Sequence, residues 1–344
     1  MFPKAELEAT ARALVAPGKG ILAADESTGT IKKRFDTIHL ESTPETRRAY
    51  RELLFTTDGV EEFISGVILY DETIRQQAQD GTPLPQVLSR RGIIPGIKVD
   101  KGAKDLAGFP GEKVTEGLDG LRERLAEYRE LGARFAKWRA VIDIGDGIPT
   151  RTCIMANAHA LARYAALCQE AGLVPIVEPE VLMDGSHDIE RCAEVTEATL
   201  RAVFGELYEA RVYLEGTLLK PNMVIAGKKC PRQASTQEVA EATVRILRRA
   251  VPAAVPGIVF LSGGQSPVQA TENLNAMNAM GSHPWELSFS YGRALQEPVL
   301  QAWRGDPANV AAAQQAFYHR ARCNSAARYG KYTPAMEEAA APVA

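Results

Sequence analysis

The chain has 344 residues, 45% of them hydrophobic and 24% charged, which is the profile of an ordinary globular protein with enough apolar material for a full core. A net charge of −3 excludes the global basic field of a nucleic-acid-binding protein, and local clusters such as Lys32-Lys33-Arg34 and Arg248-Arg249 read as solvated helix faces. No segment approaches the about 18 continuous apolar residues of a membrane span, and the start, Met1-Phe2-Pro3-Lys4-Ala5-Glu6, lacks the apolar stretch of a signal peptide.

Cysteines at 153, 168, 192, 230 and 323 are odd in number and include no CxxC pair, and the five histidines form no compact zinc pattern. Reduced thiols in a cytoplasmic protein fit this best, with no nucleic-acid or membrane partner and no metal expected.

Short apolar runs alternate with helical patterns along the whole chain. Runs at 20–24, 66–70 and 94–99 come first. A helical pattern over 118–131, with apolar residues at 118, 121, 125, 128 and 131, leads to a run at 135–139. A helix over 156–171, a run at 174–178, a helix over 188–210 and a run at 216–224 follow. Ser235-Thr236-Gln237-Glu238 resembles the start of a helix over 236–250, after which come runs at 257–261 and 287–291. Eight strands separated by helical segments predict an α/β protein, a single-domain (β/α)8 TIM barrel over 1–332. A doubly wound open sheet is the alternative, weakened because no GxGxxG follows the first strand. After Tyr332 the sequence turns alanine-rich, and 333–344 read as a flexible C-terminal tail.

Three of the runs carry charge where a buried strand reads as continuous Val, Ile and Leu. They are Phe135-Ala136-Lys137-Trp138-Arg139, Pro175-Ile176-Val177-Glu178-Pro179-Glu180 and Thr217-Leu218-Leu219-Lys220-Pro221-Asn222. Isolated charges are costly to bury, so two lysines, an arginine and two glutamates in such places suggest groups that meet. Barrel sites lie at the C-terminal strand ends, where Asp25, Lys98, Lys137, Arg139, Glu178, Glu180 and Lys220 all fall. Strand alternation puts Lys137 with Arg139, and Glu178 with Glu180, on shared faces. An ion-pair network serving only the core is the bland reading, weakly motivated because such networks gain little over apolar packing.

Crowded, desolvated lysines have lowered pKa values, and a neutral amine attacks a carbonyl carbon to give an iminium, an electron sink for breaking an adjacent C–C bond. A carboxylate such as Glu178 can move the protons of carbinolamine dehydration. Spacing alone leaves open whether Lys137 or Lys220 is the nucleophile. Ser262-Gly263-Gly264-Gln265-Ser266 and Ser290-Tyr291-Gly292-Arg293 follow the seventh and eighth runs, the common phosphate position of such barrels. A Ser-Gly-Gly triplet alone says little, but its position and the bidentate donor Arg293 strengthen it. At the far side, Ser27-Thr28-Gly29-Thr30 with Lys32, Lys33 and Arg34 could hold a second phosphate or simply cap a helix.

Seven motifs in order resemble class I fructose-bisphosphate aldolase, and the likeness runs from about Ala11 to Pro334. They are 18–29 (Gly-Lys-Gly-Ile-Leu-Ala-Ala-Asp-Glu-Ser-Thr-Gly), 96–102, 135–139, 176–180, 214–223, 261–265 and 289–295. The resemblance implies that Lys220 is the Schiff-base lysine, Glu178 the acid/base for dehydration, and Asp25 the carboxylate near the C4 hydroxyl where the bond breaks. It makes Lys137 a second lysine for proton transfer and positioning, Glu180 a holder of the lysine cluster, and Arg139 a substrate-binding residue. It gives the ketone-side phosphate to Ser262, Gly263, Gly292 and Arg293, with Gly264 in the same loop, and the distal phosphate to Ser27, Thr30, Arg34 and Lys98. It also implies sugar-phosphate substrates, no cofactor or metal, and a homotetramer of glycolysis and gluconeogenesis.

Relatives from animals end in a tyrosine that protonates the enamine, whereas the last tyrosine of this sequence is Tyr332. Glu178, Lys137 or a bound water is expected to supply that proton. Two rivals stand beside the iminium reading. One is an enolase-type lyase in which Glu178, Glu180 and Asp25 hold Mg²⁺ and a lysine is the base. The other is a non-catalytic sugar-phosphate-binding barrel.

Overall fold

A computed structural model describes residues 2–338. The eight runs become eight parallel strands, numbered β1 to β8 in chain order: Gly20–Ala24, Ile64–Leu69, Ile94–Lys98, Phe135–Ile142, Val174–Val181, Leu218–Leu219, Gly257–Phe260 and Glu286–Tyr291. Each pairs with its sequence neighbours, and β8 closes onto β1 through Ile21 beside Ser290 and Leu22 beside Tyr291. Closure removes the two free edges of a doubly wound sheet, so the fold is a (β/α)8 barrel.

Strand lengths depart from the sequence expectation for local reasons. β4 and β5 run on to 142 and 181 because they pair along their full length, from Phe135 beside Val174 to Ile142 beside Val181. β6 shrinks to two residues, against an expected 216–224. A 3-10 turn over Leu214–Gly216 precedes it, and Pro221, which has no N–H to donate, follows. The Lys220 N–H still donates to Val177 O at 2.8 Å, so the chain keeps its strand direction as far as that lysine.

Capping sets the helix starts. Ser235 and Glu238 make the expected reciprocal box, with bonds of 3.2 and 2.8 Å, and the helix spans Thr236–Ala250. Thr150 accepts from Cys153 N–H at 3.2 Å, which starts the next-to-β4 helix at Arg151, five residues ahead of the pattern. Gly120, at φ +69°, delays the preceding helix to Leu121–Glu130.

The Lys4–Leu14 helix stoppers the barrel. Its Leu7, Ala11 and Leu14 form one buried cluster with Ile21, Ile68, Phe135, Val174, Ile176, Leu218 and Val259. Space for the stopper comes from glycine. A Cβ on Gly66 would lie 2.6 Å from Leu14 Cδ2, and one on Gly96 would strike the Phe135 ring. At the other end of the chain, Tyr332 and the short helix Ala335–Glu338 return to the outer layer, where Glu337 accepts from Arg320 at 2.6 Å and from the Tyr332 hydroxyl at 2.7 Å. Of the expected tail over 333–344, residues 339–344 lie outside the described residues.

The Gly96–Phe135 contact makes a testable pair. Gly96→Ala is expected to cost about 1–3 kcal/mol by overpacking. Its cost should shrink in a Phe135→Leu background, read by urea unfolding of all four proteins in a double-mutant cycle. Equal costs in both backgrounds would sink this account of the glycine.

Candidate active site

A two-residue step carries the interior from apolar to charged. Ala23 is followed by Asp25, Gly96 by Lys98, Phe135 by Lys137, Ile176 by Glu178, and Leu218 by Lys220. The first of each pair packs the barrel near the stopper, and the second reaches the mouth formed by the strands' C-terminal ends. There the side chains converge. Lys137 Nζ lies 2.7 Å from Asp25 Oδ2 and 3.1 Å from Glu178 Oε2, the second contact lacking hydrogen-bond alignment. Lys220 Nζ lies 3.5 Å from Glu178 Oε1. Asp25, Lys137, Glu178 and Lys220 are all more than nine-tenths buried.

This crowding pulls the two lysines in opposite directions. Burial alone would lower Lys137, but Asp25 and Glu178 outweigh it and hold its ammonium well above the usual lysine range. Burial lowers Lys220 too, and the nearby Lys137 charge adds to this, so that Glu178, Asp25 and Glu180 recover only part and the net shift is downward. Burial would raise Asp25, but Lys137, Lys98 and Lys220 overcome it and hold the carboxyl far below its ordinary value. Glu178 is likewise lowered, by Lys137, Lys220 and Arg139 against its burial. Lys98 is lowered by burial. Its Nζ donates to the Asp25 carbonyl and lies 4.9 Å above the Tyr70 ring.

A cleft of about 300 Å³ opens over this cluster and takes in every residue expected from sequence except Arg139. Arg139 reaches the site through another group: its Nε lies 2.5 Å from Glu180 Oε2, and its own N–H donates to Asp100 Oδ2 at 3.1 Å. Ser27, expected as a possible ordinary cap, accepts no backbone N–H of the Thr28–Asp36 helix; its hydroxyl is instead hydrogen-bonded to that of Thr30 at 3.2 Å. That helix therefore starts beside the cleft with no side-chain cap on its first-turn N–H groups, which suits an anion.

The two groups expected to bind phosphate are not on opposite sides of the mouth, as the sequence suggested. Barrel closure sets β1 beside β8, so Arg34 Nη2 comes within 3.8 Å of where a Cβ on Gly292 would sit. Gly263 and Gly264 take φ of +49° and +76°, a turn that only glycine makes without strain, and Arg293 donates to the Gln265 carbonyl behind it. Two supports went unread in the sequence. Glu26 lies 2.5 Å from Arg34 Nη1, and Gln296 donates to Glu26 at 2.7 Å and to Ala23 O at 2.7 Å. Glu26 adjoins Asp25 in sequence, but nothing there marks Gln296 as its partner.

The family model "Glycolytic: Fructose-bisphosphate aldolase class-I" matches residues 6–343. A probable fructose-bisphosphate aldolase class 1 of Xanthomonas campestris pv. campestris is 64% identical over 328 residues, 95% of this chain and 98% of that protein. A fructose-bisphosphate aldolase of Dictyostelium discoideum is 59% identical over 331 residues, 95% and 93% of the two chains. The Plasmodium falciparum aldolase, crystallised in a ternary complex with TRAP and a small-molecule inhibitor, superposes with a TM-score of 0.95 at 57% identity, covering 96% of this chain and 95% of its own.

The chain belongs to the class I fructose-bisphosphate aldolase family. It is a lyase that reversibly cleaves fructose 1,6-bisphosphate to dihydroxyacetone phosphate and glyceraldehyde 3-phosphate, and a Schiff base is characteristic of this class. The geometry among the described residues does not favour the metal-assisted rival: Asp25 and Glu178 share the Lys137 ammonium, Glu180 meets Arg139, and the three carboxylates do not bring one donor atom each together. No helix among the described residues is long and apolar enough to cross a membrane.

The two lysines of the aldolase site should affect stability with opposite sign. Lys137→Met strands two buried carboxylates and is expected to destabilise by about 3–5 kcal/mol. Lys220→Met removes an ammonium whose burial is incompletely compensated, while Glu178 keeps Lys137, so its thermal midpoint should rise. Calorimetry at neutral pH checks both, and the reverse order would refute the charge assignment.

Proposed function

We propose that Lys220 is the Schiff-base nucleophile, and the observation that carries this is the contrast between the lysines. Lys137 is clamped as an ammonium by two carboxylates, whereas Lys220 has one carboxylate at 3.5 Å and a cation beside it. Of the two amines, the one whose charge is disfavoured gives up its proton more readily and so offers its lone pair at lower pH. Lys220 Nζ attacks the C2 carbonyl of the open-chain sugar to give a carbinolamine. Glu178, within 3.5 Å of both lysine nitrogens, moves the protons as water leaves and the iminium forms. Asp25, ionised by its lysine neighbours, accepts the C4 hydroxyl hydrogen while the C3–C4 bond breaks and its electron pair enters the enamine. Glyceraldehyde 3-phosphate departs, C3 is protonated by Glu178, Lys137 or water, and hydrolysis frees dihydroxyacetone phosphate and Lys220. Lys137 orients the reacting oxygens, and Glu180, bonded to Arg139, fences the cluster.

Ser262, Gly263, Gly264, Gly292 and Arg293 hold the ketone-side phosphate; Ser27, Thr30 and Lys98 hold the distal one, and Arg34 stands where the two groups adjoin. The catalytic domain is taken as 1–332 with 333–344 as a tail. The family resemblance supports a cytoplasmic homotetramer working in glycolysis and gluconeogenesis, and light scattering that returned the mass of one chain would remove the tetramer.

Borohydride reduction with fructose 1,6-bisphosphate is expected to attach the three-carbon ketone fragment to Lys220, located by mass spectrometry; attachment to Lys137 would overturn the assignment. The same trapping reports protonation. Because the Lys220 pKa is lowered, the pH midpoint of trapping should fall below the 10.5 of an ordinary lysine. Lys137→Met deletes a neighbouring cation that lowers Lys220, so the midpoint should move upward. A midpoint that stayed put or moved down would show that Lys137 does not set the nucleophile's charge.

A further inference from the structure

The Val310–Arg328 helix packs outside the barrel and carries His319 and Cys323 four residues apart, on one face. The chain then turns back through Tyr332 and the Ala335–Glu338 helix, which brings Glu337 against both. His319 Nε2 lies 3.6 Å from Cys323 Sγ and 3.5 Å from Glu337 Oε2, and one donor atom from each residue lies within 4.8 Å of the others. A tetrahedral zinc ion, with bonds of about 2.0–2.1 Å to nitrogen, about 2.3 Å to sulfur and about 2.0–2.2 Å to oxygen, sets its donors about 3.3–3.6 Å apart. The observed His–Cys and His–Glu separations match that requirement. The His–Glu distance is long for an N–H···O hydrogen bond, while the His–Cys distance also fits an imidazole–thiol hydrogen bond, the metal-free alternative that metal titration separates.

The surroundings fit a bound ion. Cys323 is fully buried, while the His319 and Glu337 side chains are 19% and 25% exposed, leaving one side open to an entering ion and a water. Arg320 at 2.6 Å and the Tyr332 hydroxyl at 2.7 Å orient the Glu337 carboxylate as outer partners, and Arg320 is itself held by Thr271 at 2.7 Å. The Arg320 charge works against a cation, but thiolate and carboxylate together offset the two charges of the metal. Imidazole with thiolate selects a borderline-soft ion over Mg²⁺ or Ca²⁺.

We propose that His319, Cys323 and Glu337 form a Zn²⁺ site, with water as fourth ligand, that clips the C-terminal segment to the outer helix layer. On binding, the Cys323 thiol gives its proton to solvent as the Sγ–Zn bond forms, neutral His319 donates its Nε2 lone pair, and no group changes oxidation state. None of the three residues lines the aldolase cleft, so no step of cleavage runs through the ion.

The full-length enzyme, stripped with chelator, is titrated with Co²⁺ and then Zn²⁺. One Co²⁺ per chain is expected, with a thiolate-to-metal charge-transfer band that Zn²⁺ abolishes and that is missing in Cys323→Ser and His319→Ala. Zn²⁺ should also slow tryptic cleavage after Lys331 in the wild type but not in Glu337→Gln. If Cys323→Ser does not fold, the two variants at part-exposed side chains carry the test. Absence of the band at one equivalent, or its survival in His319→Ala, overturns the site; metal binding that leaves cleavage at Lys331 unchanged overturns the clip.

Discussion

The ammonium of Lys137, dry and held between Asp25 and Glu178, is the constraint on which the barrel mouth depends. At the effective dielectric of a protein, two charges 4 Å apart attract by about 4 kcal/mol, comparable with the several kcal/mol needed to dry one ion. Two anions around one cation therefore stay ionised where either alone would take up a proton. The wider cluster has a further property. Asp25, Asp100, Glu178 and Glu180 face Lys98, Lys137 and Arg139, so the cations around Lys220 are already matched by carboxylates. Burial is the main cause of the lowered Lys220 pKa, and the Lys137 charge adds to it against Glu178, Asp25 and Glu180.

A matched cluster of charges still costs stability compared with apolar packing, and the architecture confines that cost to one end. The two-residue step keeps Ala23, Phe135, Ile176 and Leu218 against the N-terminal stopper and lifts Asp25, Lys137, Glu178 and Lys220 to the mouth. The lower half is a packed apolar core that fixes the strands, and the strands in turn fix the charged groups. The ion pairs thus keep their distances without being asked to hold the barrel together.

Much of this was legible in the sequence because barrel strands have a strict period. Charged residues at 137, 178 and 220 pointed to groups that meet, and eight runs with helical segments between them pointed to a barrel over an open sheet. What stayed hidden depended on closure and on contacts far apart in sequence. Pro221 cut β6 to two residues without moving Lys220, because one backbone bond to Val177 kept the strand direction. Arg139 shares a face with Lys137, yet it spends its guanidinium on Glu180 and leaves the cleft. Glu26 and Gln296 meet across 270 positions, so no local pattern could show that they hold Arg34. The proximity of β1 to β8 likewise belongs to the closed barrel and not to any stretch of sequence. The proposed preference for Lys220 over Lys137 rests on distances, since both are lysines at strand ends two residues beyond an apolar position.

Strand order also bears on how the proposed chemistry is laid out along the sugar. Lys220 ends β6, the Ser262–Gly264 loop follows β7, Gly292 and Arg293 follow β8, and Asp25 follows β1, so these groups occupy consecutive positions around the mouth. A ketose whose carbonyl lies one carbon from its phosphate can rest that phosphate on the β7 and β8 loops and still reach the neighbouring β6 with its carbonyl carbon. The rest of the chain then points across the cleft, where Asp25 and Lys137 face each other at 2.7 Å, and the hydroxyl that must lose its hydrogen meets the ionised carboxylate. A carbonyl further from the phosphate would overshoot Lys220. On this proposal the closed order of the strands sets where the carbonyl rests, and the burial and carboxylates around each lysine favour Lys220 as the attacking amine.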